Sequence, residues 1–262
     1  MEKIELWENV PGNTDNPVLE YYPSTRKTSN TAVVIFPGGG YSGRAIYEGK
    51  GYAEYLNTLG ITAFVCQYRV APNRYPLPLL DARRAVQYVR ANAEKYEIDP
   101  DKIGVMGSSA GGHLAATLST VFDDLRNEIP SPDEIDNVDF MPNFQILCYP
   151  VIKLKDYGHI GSGNNLLGEK MNDSKCVDSL CADERVNEKT PKAFIWHTFD
   201  DAGVNVKNSL IYATALKDNG VSCEMHIFPN GAHGLGLAQS DDSVGQWPLL
   251  LKNWLKHFNL LK

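Results

Sequence analysis

One serine of the chain lies in the pattern Gly-x-Ser-x-Gly, in which Gly107, Ser109 and Gly111 occupy the three fixed positions. A short apolar run at 102–106 precedes the pattern, and a run rich in Ala and Leu follows it. The pattern therefore predicts a tight turn between a strand and a helix, with small residues where backbone segments come close. A serine on such a turn projects its hydroxyl away from the backbone, where it can attack a carbonyl carbon.

The predicted nucleophile needs a base, because a serine hydroxyl reacts poorly at neutral pH unless a histidine held by a carboxylate takes its proton. His233 lies in a Gly-rich loop after the last predicted strand, from which its imidazole can project over Ser109. The other histidines lie inside predicted elements, in a polar insertion or ahead of the candidate acid: His113, His159, His197, His226 and His257. His233 is therefore the predicted base.

The acid is expected in the loop after the preceding strand, in the chain order Ser, Asp, His. That loop, residues 197–204, contains Asp200 and Asp201 side by side. The residues alone do not separate the two: one would orient His233, and the other would cap or brace the loop. Because two buried ionised carboxylates would be costly, the second is expected to be solvated or hydrogen-bonded.

Three consecutive glycines, Gly38 to Gly40, follow the apolar run 31–36. Acyl transfer requires hydrogen-bond donors for the negative charge that develops on the carbonyl oxygen. The backbone N–H groups of the glycine run, together with that of Ala110, are predicted to supply them. A flexible turn is the alternative, but the pairing with the serine motif favours the catalytic interpretation.

Apolar runs that alternate with helical patterns surround these residues, and the alternation favours right-handed βαβ crossovers and a parallel sheet. The predicted strands are 18–22, 31–36, 61–70, 102–106, 144–149, 193–197 and 223–228. The predicted helices are 47–59, 79–96, 206–217 and 248–258, besides the one that follows the serine motif. We therefore expect one α/β domain over residues 1–262, with a mostly parallel central sheet and helices on both faces.

Two segments interrupt the alternation. Residues 122–143 are acidic and contain proline, and residues 153–191 form a long polar insertion after the sixth strand. Loops of this length usually carry function or local structure. For the second segment, a small cap over the active site and a surface loop are equally good interpretations.

Composition limits the classes of partner. The 262 residues, of which 43% are hydrophobic, suffice for one large core. A formal net charge of -7 argues against nucleic acid or an anionic membrane surface as partner. No run approaches the roughly 20 apolar residues that span a bilayer. The first ten residues lack the apolar region and cleavage site of a secretory signal, so a cytoplasmic location is expected.

Together these residues resemble the α/β-hydrolase superfamily, and more narrowly its small acetyl-xylan esterases, which are related to the hormone-sensitive-lipase-like group. The resemblance extends over nearly the whole chain from about Val18. It rests on these segments: Phe36-Pro-Gly-Gly-Gly-Tyr41, Tyr68-Arg-Val-Ala-Pro72, Asp81-Ala-Arg-Arg-Ala85, Gly107-Ser-Ser-Ala-Gly-Gly-His113, Trp196-His-Thr-Phe-Asp-Asp201 and Pro229-Asn-Gly-Ala-His-Gly234.

The resemblance implies which aspartate is the acid. In the family this residue precedes the Val of a Val-Pro pair by three positions, which maps it onto Asp201, since Val204 follows at that distance. Asn205 stands where the family usually has proline, which weakens the match. The resemblance also implies that Arg69 and Asp81 form a structural ion pair.

The same resemblance implies an acyl-enzyme reaction at Ser109 with Gly39, Gly40 and Ala110 as oxyanion donors. Pro37 replaces the histidine that begins His-Gly-Gly-Gly in many lipases, and the backbone donors do not depend on that residue. Neither a metal nor an organic cofactor is expected.

The implied substrate is a small ester, in particular a sugar that carries acetyl or other short acyl groups. The aromatic rings of Tyr41 and Trp247 are candidates for stacking against the sugar, and packing in the core is the alternative for both. A homo-oligomer is compatible with the sequence.

Two other functions use the same fold. A serine peptidase of the prolyl-oligopeptidase type shares the triad order, although the chain has no room for the large N-terminal propeller of those enzymes. A hydrolase fold that binds without catalysis is the second, and the complete set of Ser109, Asp201 and His233 argues against it.

Overall fold

An eight-stranded sheet runs through the protein, seen here in a computed structural model that describes residues 2–12, 14, 16–26, 28–121, 125–129 and 132–262. The strands are β1 (Glu2–Glu5), β2 (Val18–Tyr22), β3 (Ala32–Phe36), β4 (Thr62–Gln67), β5 (Ile103–Ser108), β6 (Phe144–Cys148), β7 (Lys192–Thr198) and β8 (Cys223–Phe228). The α-helices are α1 (Ile46–Thr58), α2 (Leu77–Ala91), α3 (Ala110–Thr120), α4 (Ile160–Leu167), α5 (Ser174–Asp178), α6 (Lys207–Asp218) and α7 (Trp247–His257).

The strand order is β1-β2-β4-β3-β5-β6-β7-β8. From β4 to β8 all neighbours are parallel, and β1 and β2 form an antiparallel edge. β1 is not among the predicted strands, because Ile4 is the only apolar residue in it. The carboxyl ends of β3, β5 and β7 meet at one edge of the sheet, where the candidate residues follow them.

Alternating side chains of β3 divide the core into two layers. Val34 and Phe36 pack with α2, α3 and α6, whereas Val33 and Ile35 pack with α1 and α7. All four side chains are buried, as expected for a strand of a parallel sheet covered on both faces. The predicted α/β architecture with helices on both faces is thereby confirmed.

The polar insertion at 153–191 contains α4, α5 and two 3₁₀ turns instead of forming a structureless loop. Asn165 of α4 donates its side-chain N–H to the carbonyl oxygen of Gly40 at 2.9 Å. Nε2 of His113 lies 2.9 Å from the carbonyl oxygen of Leu180 in the same insertion. The insertion therefore contacts both the glycine run and the helix that follows the serine motif.

The other interrupting segment, predicted at 122–143, is described only in part, because residues 122–124, 130 and 131 lie outside the described residues. It contains 3₁₀ turns at Leu125–Glu128 and Glu134–Asn137. Within the described ranges, no helix combines the length and hydrophobicity needed to cross a bilayer.

Arg69 and Asp81 form a buried ion pair, with Nη2 of the arginine 2.6 Å from Oδ1 of the aspartate. The guanidinium also donates to the carbonyl oxygen of Pro11. The pair thus ties α2 to the chain after β4 and to the N-terminal segment. This confirms the structural ion pair that the resemblance implies.

Candidate active site

Ser109 joins β5 to α3 through a strained turn, with φ 53° and ψ -120°. Its N–H donates to the carbonyl oxygen of Cys148 at 3.0 Å, which holds the turn against the neighbouring strand. A Cβ on Gly107 would lie 2.1 Å from the carbonyl oxygen of Gly111, and a Cβ on Gly111 would lie 2.0 Å from that of Phe36. Both positions therefore require glycine, because any side chain would collide with neighbouring backbone, as the motif predicts.

A chain of hydrogen bonds connects the three candidate catalytic residues. Oγ of Ser109 lies 2.8 Å from Nε2 of His233, and Nδ1 of His233 lies 2.8 Å from Oδ2 of Asp201. Because an ionised carboxylate only accepts hydrogen bonds, Nδ1 carries the proton and Nε2 is free to accept the serine hydroxyl. The arrangement therefore fits proton transfer from serine to histidine.

The carboxylate of Asp201 is buried but well supplied with donors. Its Oδ1 accepts the N–H groups of Gly203 at 2.8 Å and Val204 at 2.9 Å. Burial pushes the pKa of Asp201 upward, but hydrogen bonds from His197, His233 and Val204 hold this pKa well below its usual range. Asp201 is therefore an anion at neutral pH.

Contacts in the structure separate the two adjacent aspartates. Asp200 instead accepts the backbone N–H of Gly231 at 2.8 Å. Because Gly231 lies two residues before His233, this bond braces the loop that carries the imidazole. Asp201 thus contacts the histidine, and Asp200 stabilises the loop that carries it.

The glycine run passes directly against the nucleophile. A Cβ on Gly38 would lie 3.1 Å from Cβ of Ser109. Gly39 and Gly40 have φ values of 136° and 63°, in the region that favours glycine. Ala110 begins α3, and the first N–H groups of a helix have no partner within it. Gly38 of the run and the start of α3 therefore both lie next to Ser109.

A second buried carboxylate, that of Glu48 on α1, connects two loops of the site. It accepts the N–H of Gly38 at 2.7 Å and the hydroxyl of Tyr149 at 2.7 Å. The Tyr149 hydroxyl in turn accepts the N–H of Gly236 at 3.1 Å, and its ring packs against His233 with centroids 5.1 Å apart. Glu48 and Tyr149 therefore link the glycine run to the histidine loop.

Burial raises the pKa of Glu48, and the hydrogen bonds from Tyr149 and Gly38 offset this only in part. Glu48 is not among the residues predicted for the site. The sequence contained a sign of its burial. Glu48 precedes Tyr52 by about one helical turn and Leu56 by about two, so it lies on the apolar face of α1. A carboxylate on an apolar helix face is unusual unless it has partners.

Tyr41 and Trp247 do not have the role suggested for them, because both rings are buried. Tyr41 is 1% exposed, and its hydroxyl lies 2.8 Å from Nδ1 of His113. Trp247 is 0% exposed, donates its Nε1–H to Gly236 and stacks on Trp196 with centroids 5.1 Å apart. Neither ring presents a face to a sugar. Both rings pack in the core, which was the alternative interpretation.

Exposed side chains beside the site lie instead at the start of α1. Tyr47 is 54% exposed and donates its hydroxyl to the carbonyl oxygen of Gly234 at 2.9 Å. A groove of about 1000 Å³ lies between α1 and strands β1, β2 and β4, with Pro37, Arg44 and Ile46 in its lining. Neither the three candidate catalytic residues nor the three glycines are among the residues that line this groove.

Among the described residues, no group of three or more His, Cys, Asp or Glu side chains is arranged to hold a metal ion. The five cysteines are all unpaired.

Comparison with known sequences identifies related esterases. A profile of the BD-FAE family matches residues 20–216. The acetylxylan esterase of Xylanibacter ruminicola is 36% identical over 233 residues, which cover 87% of this chain and 46% of that protein. Endo-1,4-beta-xylanase B of Butyrivibrio fibrisolvens is 34% identical over 235 residues, which cover 88% of this chain and 36% of that protein. The chain therefore spans less than half the length of either relative.

Solved structures share the architecture. The acetyl ester-xyloside bifunctional hydrolase of Caldicellulosiruptor lactoaceticus superimposes with a TM-score of 0.94 at 43% identity, covering 100% of this chain and 97% of that one. The esterase Est2 of Thermogutta terrifontis, solved with bound propionate, has a TM-score of 0.82 at 26% identity, covering 99% and 95% of the two chains. These similarities confirm the resemblance to the α/β-hydrolase superfamily.

Proposed function

The chain belongs to the BD-FAE family of ester hydrolases with the α/β-hydrolase fold, and from this premise we propose that it removes acetyl or other short acyl groups from acylated sugars with a Ser-His-Asp triad. The observation that carries the proposal is the hydrogen-bond chain from Ser109 through His233 to Asp201, with both links at 2.8 Å. The glycine run against Ser109 supports acyl transfer as the chemistry.

In the acylation step, Oγ of Ser109 attacks the ester carbonyl carbon while Nε2 of His233 takes the hydroxyl proton. The carbonyl oxygen becomes an oxyanion, which accepts hydrogen bonds from the N–H groups of Gly39, Gly40 and Ala110. When the tetrahedral intermediate collapses, the bond to the sugar oxygen breaks and His233 donates its proton to that oxygen. Asp201 stabilises the imidazolium between the two transfers.

In the deacylation step, a water molecule loses a proton to Nε2 of His233 and attacks the acyl carbon. The second tetrahedral intermediate releases Oγ of Ser109, which regains its proton from the imidazolium, and the free acid leaves. Ser109 and His233 end in their starting protonation states. The reaction therefore consumes one ester and one water and needs no cofactor.

The names of two relatives favour an acylated sugar as the substrate. The acetylxylan esterase and xylanase relatives are named for acetylated xylan and xylan.

The test is hydrolysis of p-nitrophenyl acetate and of an acetylated xylo-oligosaccharide by the parent protein and by Ser109→Ala. We expect kcat to fall at least about a thousandfold in the variant, since the nucleophile is lost. Ser119→Ala is the matched control, because this serine lies on α3 and donates only to the carbonyl oxygen of Ala115, at 2.8 Å. It is expected to keep the parent activity.

Three results would contradict the proposal. Parent-level turnover by Ser109→Ala would remove the assigned nucleophile. Cleavage of aminoacyl-proline substrates without cleavage of esters would favour the peptidase alternative. An inactive parent that still binds acetylated oligosaccharides would favour a binding protein with this fold.

A further inference from the structure

His197, near the end of β7, lies against the acid of the candidate triad. Its side chain is fully buried, and Nε2 lies 3.2 Å from Oδ2 of Asp201 and 3.0 Å from the carbonyl oxygen of Val204. Its other nitrogen, Nδ1, lies 2.8 Å from Oγ of Ser209 on α6. Both ring nitrogens are therefore engaged, one of them at the catalytic carboxylate.

The partners of the two nitrogens determine the tautomer of His197. A carboxylate and a carbonyl oxygen can only accept, so Nε2 must carry the hydrogen that faces Asp201 and Val204. The hydroxyl of Ser209 can donate to an unprotonated Nδ1. A neutral imidazole has one N–H and one lone pair, and this combination satisfies all of these partners.

We propose that His197 is a positioning residue for the triad: its Nε2–H, which donates to the carbonyl oxygen of Val204, also lies against Oδ2 of Asp201 and thereby fixes the carboxylate and limits its attraction for the imidazolium of His233. The role rests on the proposed function, because it acts through the triad.

The carboxylate geometry gives the physical reason. Oδ1 of Asp201 takes two backbone N–H groups, so Oδ2 is left for the two imidazoles of His233 and His197. With both oxygens engaged, the carboxylate cannot rotate away from His233. Each additional donor also withdraws negative charge from Oδ2, so less of it stabilises a proton on His233.

Removal of the His197 donor should therefore have two effects. The carboxylate becomes less well fixed, which lowers turnover. It also becomes more basic, which stabilises the imidazolium of His233 and moves the acid limb of the kcat/KM profile to higher pH. A residue that served only packing would not move that limb.

Several other titratable groups lie near His233 or its loop and stay unchanged in the variants. They approach from α1, the loop after β6, the insertion and the loop after β7: Tyr47, Glu48, Tyr149, His159 and Asp201. If the acid limb of the kcat/KM profile shifts only when residue 197 is changed, the shift is attributable to His197.

The experiment compares His197→Leu with His197→Gln in ester hydrolysis over the pH range of the acid limb. In His197→Leu we expect kcat/KM to fall about 10-fold to 100-fold, the loss expected for one hydrogen bond to a charged group, and the limb to move up by about half a pH unit or more. The side-chain amide of His197→Gln can return an N–H close to the position of Nε2, so this variant should regain most of the activity and the parental limb.

A second measurement on the parent protein does not depend on any variant's folding. Nitrogen-15 NMR of histidine-labelled protein should assign His197 as the Nε2–H tautomer, with the His197→Gln spectrum identifying its signals. A proton on Nδ1 would overturn the proposal. So would an unmoved acid limb in folded His197→Leu.

These failures are distinct from failure of the proposed function. If Ser109→Ala abolishes turnover while His197→Leu has the parental rate and limb, the triad stands and the role of His197 falls. If Ser109→Ala remains active, the triad itself is wrong and the role of His197 falls with it.

Discussion

Two buried carboxylates lie on different sides of His233, and their pKa values move in opposite directions. Asp201 is 8% exposed and Glu48 is 2% exposed, so burial disfavours the charged form of both. Nevertheless, the pKa of Asp201 lies well below its usual range, whereas the pKa of Glu48 is raised. Depth of burial therefore does not decide the protonation of these groups.

The donors around each carboxylate explain the difference. Asp201 receives two backbone N–H groups and faces two imidazole nitrogens. Glu48 receives one backbone N–H, from Gly38, and the weaker phenol hydroxyl of Tyr149. Four N–H groups outweigh the cost of burying a charge, whereas the donors of Glu48 offset only part of it.

The two carboxylates also differ in what they hold. Asp201 contacts His233 itself and, in the proposed reaction, stabilises its charged form. Glu48 contacts no reacting atom; it holds Gly38 of the glycine run and, through Tyr149, the loop that carries His233. We therefore expect loss of the Asp201 charge to affect chemistry severely and loss of the Glu48 charge to affect it moderately.

The largest effect is expected for Asp201→Asn, which removes the charge and places an amide against Nδ1 of His233. By analogy with other triads, kcat should fall by about 10⁴, because the imidazole is held in the wrong tautomer. The measurement is steady-state hydrolysis of p-nitrophenyl acetate. Asp200→Asn is the matched control, since that carboxylate braces the loop through Gly231, and it should lose less than about tenfold. A larger loss in Asp200→Asn would reverse the assignment.

The three residues of the hydrogen-bond chain from Ser109 to Asp201 were predictable because local patterns identify them. The strand-turn-helix motif marks Ser109, and chain order places the acid and the base in the loops after two later strands. The choice of Asp201 over Asp200 came from family resemblance, since neighbouring aspartates have nearly the same local context. The structure supplies the missing distinction through the bond from Gly231 to Asp200.

The residues around the triad were not predictable in the same way. Glu48 and Tyr149 are 101 positions apart, and only the packing of α1 over the sheet brings their side chains together. Burial of Tyr41 and Trp247 likewise depends on long-range packing, which a single aromatic residue does not reveal. The fold was predictable because parallel strands are marked by continuous apolar runs, whereas the edge strand β1 carries no such run.

A moderate effect is expected for Glu48→Gln, which tests the other half of the comparison. The amide oxygen can still accept the N–H of Gly38, but the amide NH₂ group cannot accept the hydroxyl of Tyr149. The bond from Gly38 becomes a weaker neutral one and the bond from the Tyr149 hydroxyl is lost, so kcat should fall about tenfold, with a smaller change in KM. A fall as large as that of Asp201→Asn would place Glu48 in the chemistry itself.

The smallest and most diagnostic effect is on thermal stability as a function of pH. The folded-state pKa of Asp201 lies below its unfolded value, so ionised Asp201 contributes stability that is present above the unfolded pKa and is lost as pH falls toward the folded one. The folded-state pKa of Glu48 lies above its unfolded value, so stability falls as pH rises through the window between them.

Melting temperatures of parent, Asp201→Asn and Glu48→Gln between pH 3 and pH 7 measure these contributions. On raising the pH, the advantage of the parent over Asp201→Asn should grow, and its advantage over Glu48→Gln should shrink. A difference of 1 kcal/mol corresponds to about 2–4 °C for a chain of this size, which is readily measured. Parallel slopes for the two variants would mean that burial, and not the donor set, governs both groups. Opposite slopes would establish that two buried carboxylates near the same imidazole are kept in different electrostatic states by their hydrogen-bond donors.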